Sequence, residues 1–145
     1  MVIDIYKEFV SLLVGVFLGG LVKSALDYRS KVFSLLWDKR LDAYQELVKL
    51  LSRFPKWPRA EPVYADLLHM STDLKNWYFN TGGILMSKTT RIAFENLQEQ
   101  ITNIYEDHKK NQMEKIAGDY DVVVELCHLL RVEMTRDLLS RKKQI

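Results

Sequence analysis

The stretch LVKSALDYRSKVFSLLWDKRLDAYQELVKLLSRF, residues 21–54, contains neither glycine nor proline, and its apolar side chains recur at helical spacing. Phe33, Trp37, Leu41, Tyr44, Val48 and Leu51 step by three or four residues, and Leu36, Leu47 and Phe54 widen the stripe. A stripe this broad is the buried face of a bundle helix rather than the narrow seam of a coiled coil. Arg40, Glu46 and Arg53 fall to the other, wet side. Pro55, Pro58 and Pro62 follow within eight positions and end the helix, because proline has no amide hydrogen for the ladder and its ring collides with the preceding turn.

Upstream, the fourteen residues Phe9–Val22 carry no charge. As a helix they cover only about 21 Å, but from Ile5 to Leu26 the segment reaches about 33 Å, enough for a hydrocarbon core of roughly 30 Å. Lys7 and Lys23 at its margins can extend their ammonium groups toward water. The reading is a single-pass transmembrane anchor over 1–27. A cleaved signal peptide fits less well because Asp4 and Glu8 stand in its leading region. Lys23, Arg29, Lys31, Lys39 and Arg40 follow the span, whereas Lys7 and the terminal amine precede it, so the positive-inside rule places 28–145 in the cytoplasm and the amino terminus outside the inner membrane. Ser11, Gly15 and Gly19 recur every four residues, a small-residue face on which a second span can pack, and predict a homo-oligomer within the lipid bilayer. With no helix breaker between them, the span can run directly into the first bundle helix, a kink near Asp27–Ser30 being the alternative.

Downstream, the periodicity predicts helices over about 30–54, 63–79, 87–110 and 119–140. Asn80-Thr81-Gly82-Gly83 signals a helix stop, and Ser87 an N-cap. Trp57, within the proline-rich connection, reads either as a loop for a partner or, better, as a lid folded over the helix ends. The fold class is all-α: an N-terminal membrane helix joined to an antiparallel four-helix bundle over 28–145.

Composition narrows the function. With 145 residues, 48% hydrophobic and 28% charged, the chain fits one ordinary domain rather than a disordered one. Its 21 basic and 19 acidic residues give no nucleic-acid footprint. One cysteine, Cys127, excludes an intramolecular disulfide and reads as a small core residue. His69, His108 and His128 lie on different helices without a Glu-x-x-His or other metal spacing, and no phosphate or dinucleotide motif occurs, so neither cofactor nor catalytic residues are expected.

Two stretches are denser than packing alone requires: Asn76–Ser87 followed by Arg91, and Leu129–Arg141. Together with Lys39, Arg40, Leu41 and Tyr44, the Trp77-Tyr78-Phe79 and Gly82-Gly83 turn and the terminal Thr135-x-Asp137-Leu138-x-Ser140-Arg141 segment, the chain resembles a family of small, uncharacterised prokaryotic membrane-anchored helical proteins. The resemblance implies the architecture and no activity. Arg131, among Leu129, Leu130 and Met134, needs a carboxylate or carbonyl partner if buried. Arg91 paired with Asp137 across helices is one arrangement. Trp77, Arg91, Arg131, Asp137 and Arg141 then form either a structural polar network or a site for an anionic ligand or a partner's carboxylate.

Three functions compete. The first is a membrane-tethered interaction or scaffold module for another membrane or cytoplasmic protein. The second is a ligand- or signal-sensing bundle coupled to the membrane, and the third a membrane-perturbing stress or defence effector.

Overall fold

The computed structural model describes residues 2–142, and of these the side chains of 22–140. Every element among them is helical. Helix α1 is Val2–Leu51, α2 is Tyr64–Trp77, α3 is Lys88–Asp107 and α4 is Tyr120–Lys142. A π-helical turn, Tyr78–Gly82, and a 3-10 turn, Gly83–Leu85, connect α2 to α3. The chain divides into two compact units within α1, Met1–Leu36 and Trp37–Ile145. Ser11, Gly15 and Gly19 lie outside the described side chains, as do most residues of the apolar run. Among the described residues, no helix is long and apolar enough to cross a membrane.

In the first unit Val22, Leu26, Tyr28 and Leu35 stand exposed, and so does Leu36, which the periodicity had placed on the buried stripe. Burial begins at Arg40 and continues through Ala43, Tyr44, Leu47, Leu51 and Phe54. These meet Leu67, Met70, Leu74 and Trp77 of α2, Phe94, Leu97 and Ile101 of α3, and Val123, Cys127, Leu130 and Met134 of α4 in one core. Removing each such side chain from water contributes roughly 1.5–3 kcal/mol before entropy is charged against it. Neighbouring helices run antiparallel: Tyr44 meets Asp137 while Leu51 meets Arg131, and Ser71 meets Gln98 while Trp77 meets Phe94.

The two long connections close one end of the bundle. Val63 and Lys115 form an antiparallel bridge, flanked by the Tyr64 amide on the Glu114 carbonyl and the Ile116 amide on the Pro62 carbonyl. Tyr120, buried at the start of α4, donates its hydroxyl to the Pro55 carbonyl at 2.6 Å and accepts from the Ala60 amide at 3.1 Å. Arg59 sits over the same ring, 4.6 Å from its centre. Tyr120→Phe should therefore cost about 1–2 kcal/mol, and should speed tryptic cleavage at Lys56 and Arg59, measured by limited proteolysis. An unchanged cleavage rate would mean that the hydroxyl does not hold this loop.

Trp57 is 84% exposed, so it is no lid over the helix ends. Phe54 and Tyr120, with ring centres 6.0 Å apart, fill that place instead.

Candidate functional site

Asp137 is the charged group set deepest among the described side chains, 5% exposed on α4. Such a carboxylate requires partners, because burying an uncompensated charge is costly. The Tyr44 hydroxyl donates to its Oδ2 at 2.6 Å, and the Ser87 amide donates to the same oxygen at 3.1 Å. Arg40 faces Oδ1 at 3.6 Å, while its Nε donates to the Leu85 carbonyl at 2.6 Å. Thr90, fully buried, donates to the Glu133 carbonyl at 3.4 Å. The cluster thus ties α1, the 3-10 turn, the start of α3 and α4 together at the end of the bundle opposite the closed loops. Ser87 also caps α3 by accepting the Thr90 amide.

Among the described side chains Asp137 faces Arg40, 8% exposed, and not Arg91. Arg40 therefore lies on the buried face of α1 and not on the wet side where its charge placed it. It stands three residues after Trp37 and four before Tyr44, within the buried row itself, and a carboxylate across the bundle makes its burial tolerable. Arg91 donates to the Gly83 carbonyl at 3.2 Å and holds the turn. Arg131 finds a carbonyl, that of Leu51, at 2.9 Å, and so anchors the C-terminal end of α1. Trp77 is buried, donates its indole to the Ala43 carbonyl at 3.0 Å and tilts against Phe94. Arg141 lies outside the described side chains. Arg40, Tyr44, Ser87 and Thr90 are the members that the sequence reading had not grouped with Asp137.

The glycines differ from a simple helix stop. Neither has a positive φ. A Cβ on Gly82 would lie 2.0 Å from the Trp77 ring, and one on Gly83 would lie 2.5 Å from the Tyr78 carbonyl oxygen. Close approach, not left-handed backbone, is what requires them.

The members of the cluster bond to one another and to backbone across the helices. Burial first, then the hydrogen bond to Asp137, pushes the Tyr44 phenol up from its ordinary value, so Tyr44 acts as a proton-bearing donor. Burial also pushes the Cys127 thiol up to about 12, against a smaller opposing effect of Arg131. A thiol so placed is no nucleophile near neutrality. Both groups hold their protons more tightly when folded. Their contribution is therefore whole below their ordinary ionisation range and is lost as pH rises toward the folded values. Stability should fall in alkaline titration, and Cys127 should stay unreactive to a thiol reagent at pH 8 until the chain unfolds. Rapid labelling of the folded protein would contradict this.

Among the described residues no group of three or more histidine, cysteine, aspartate or glutamate side chains is placed to hold a metal. His108 stacks on Tyr64 with ring centres 4.0 Å apart, and His69 and His128 are exposed. Surface grooves flank the core. One of about 520 Å³ lies between α2 and α3 beside Tyr78, Phe79 and Phe94. Another, about 530 Å³ and largely apolar, lies between α1 and α4 beside Leu41, Val48, Arg131 and Met134. No protein-family profile, curated protein or solved structure matches the chain.

Proposed function

We propose that the chain is a membrane-tethered, non-enzymatic helical interaction module, with residues 1–27 as a single-pass anchor and the bundle in the cytoplasm. The observation that carries this reading is the charge-free run Phe9–Val22 at the head of a helix whose far end is built into a packed core. The polar groups of the core support it, since Arg40 and Tyr44 both bond to Asp137 and Arg40 also to backbone, which spends them on joining helices. The small-residue face Ser11, Gly15 and Gly19 makes self-association of the anchor part of the proposal.

Extraction decides the first point: the chain should stay in the membrane pellet at alkaline pH and leave it only with detergent. Release by carbonate alone would end the anchor reading. Crosslinking in membranes should give dimers or higher species, and Gly15→Leu with Gly19→Leu should abolish them.

A ligand-sensing bundle is favoured by one observation, the α1–α4 groove beside Arg131, whose Nε is buried without a hydrogen-bond partner. Arg131→Met should then abolish ligand-dependent shifts in thermal stability while the folded chain persists.

A further inference from the structure

The groove between α1 and α4 has a charged end and an apolar end. Antiparallel packing sets Leu51 beside Arg131 and Tyr44 beside Asp137, so Lys49 and Arg131 share one end and Leu41 and Leu138 the other. From Leu41 to Val48 helix α1 rises about 10 Å. Between the ends, buried Tyr44 and Met134 form the floor and exposed Val48 a lip. The Tyr44 hydroxyl is spent on Asp137 and the Thr135 hydroxyl on the Arg131 carbonyl, so the floor offers a ligand no free polar atom.

The basic end lacks a counter-charge. Arg131 is half-buried and donates one N–H to the Leu51 carbonyl, while its Nε lies buried with no acceptor. Among the described residues neither Arg131 nor Lys49 enters an ion pair, and no acid lines the groove. Glu46, three residues before Lys49, lines the neighbouring groove between α1 and α2, with Arg53 and Asp73.

We infer that the α1–α4 groove binds an amphiphilic carboxylate of the medium-chain fatty acid class, its head at Arg131 and Lys49 and its tail along Met134 toward Leu41 and Leu138. A guanidinium partly withdrawn from water holds a carboxylate more strongly than an exposed one does. An apolar trough with its polar atoms already bonded suits a hydrocarbon tail. At about 530 Å³ the groove has the size of a small-molecule site. Its exposed apolar surface, Val48 with parts of Leu41 and Leu138, falls far short of the roughly 800 Å² per partner of a stable protein interface, which argues against a second copy. The α2–α3 groove, of similar volume, carries Glu95 and Glu99 against Lys75 and disfavours the same head. The inference rests on the ligand-binding reading of this groove and not on the anchor, since every residue of the groove lies in the second unit.

The test uses the full chain in phosphatidylcholine vesicles at mildly alkaline pH, irradiated with decanoic acid bearing a mid-chain diazirine or with its primary amide. Mass spectrometry of the peptides should place the acid's label within 41–49 and 131–138. The acid should label there about tenfold more than the amide, the factor expected for one charge-assisted contact, and unlabelled decanoate should compete. Arg131→Met should lose this labelling. Because that change also removes the bond to Leu51, Val48→Glu serves as the second variant. It sets a carboxylate into the groove from an exposed helix position, and should lose the labelling with its circular dichroism unchanged. Equal labelling of the groove by acid and amide overturns the inference while leaving the groove a ligand site. Label from neither probe in these segments overturns both the inference and the ligand-binding reading. Should Thr135→Cys chains then crosslink to one another, the groove belongs to a second copy.

Discussion

Asp137→Ala is expected to lower the unfolding free energy by about 3–5 kcal/mol, because it leaves Arg40 buried without its carboxylate and the Tyr44 hydroxyl without its acceptor. For a body of this size each kilocalorie moves the thermal midpoint by roughly 4–8 °C, so Tm should fall by more than about 10 °C. Asp137→Asn keeps an oxygen for Tyr44 and Ser87 but loses the charge facing Arg40, and should fall between the wild type and alanine. Removing both charges separates the cost of an orphaned ion from the worth of the pair. Arg40→Met with Asp137→Leu should recover much of the loss, since a buried pair replaced by apolar groups of similar volume is often neutral. Thermal unfolding of the full chain in mild detergent, followed by circular dichroism, measures all four. If Asp137→Ala unfolded within about 1 kcal/mol of the wild type, the cluster would not hold the helices together.

Gly82→Ala should be nearly as damaging, at roughly 2–4 kcal/mol, although it adds a single methyl group. The added carbon would overlap three atoms of the Trp77 indole, at 2.0, 2.1 and 2.6 Å. That ring cannot swing aside freely: its N–H bonds the Ala43 carbonyl, its face tilts against Phe94, and it is buried in the core. Accommodating the methyl therefore displaces a tryptophan from its pocket, and the truncation cost of a buried aromatic, about 3–5 kcal/mol, sets the ceiling. The clash belongs to one pair of residues, so it should be non-additive. In a Trp77→Phe background, where the smaller ring leaves space, Gly82→Ala should cost distinctly less. Equal costs in both backgrounds would place the glycine requirement somewhere other than this contact.

Both predictions concern residues whose type the sequence displayed and whose role it did not. Gly82-Gly83 reads as a helix stop because glycine usually ends a helix in left-handed backbone. Here the backbone stays right-handed through a π turn and a 3-10 turn, and the glycines serve an approach between side chain and main chain that periodicity does not encode. Arg40 reads as a surface charge because arginine usually is one. Its position three residues after Trp37 and four before Tyr44 was the available signal that it lies on the buried row.

Asp137 is far from Arg40 in sequence, and no local rule joins two such residues. The same holds for Trp57: its exposure depends on Phe54 and Tyr120 having filled the loop end first.

The helical class and the approximate extent of the bundle helices were legible in the chain alone, because apolar spacing of three and four residues, three clustered prolines and a serine cap act within one or two turns of chain. The sequence also carried the uncharged run on which the membrane proposal rests. Tertiary structure decided which polar groups are buried and which apolar ones are left outside. The energy of burying a charge, or of exposing an isoleucine, depends on what arrives from distant parts of the chain, and only the packed bundle brings Arg40, Tyr44, Ser87 and Asp137 within hydrogen-bonding or ion-pairing distance of one another.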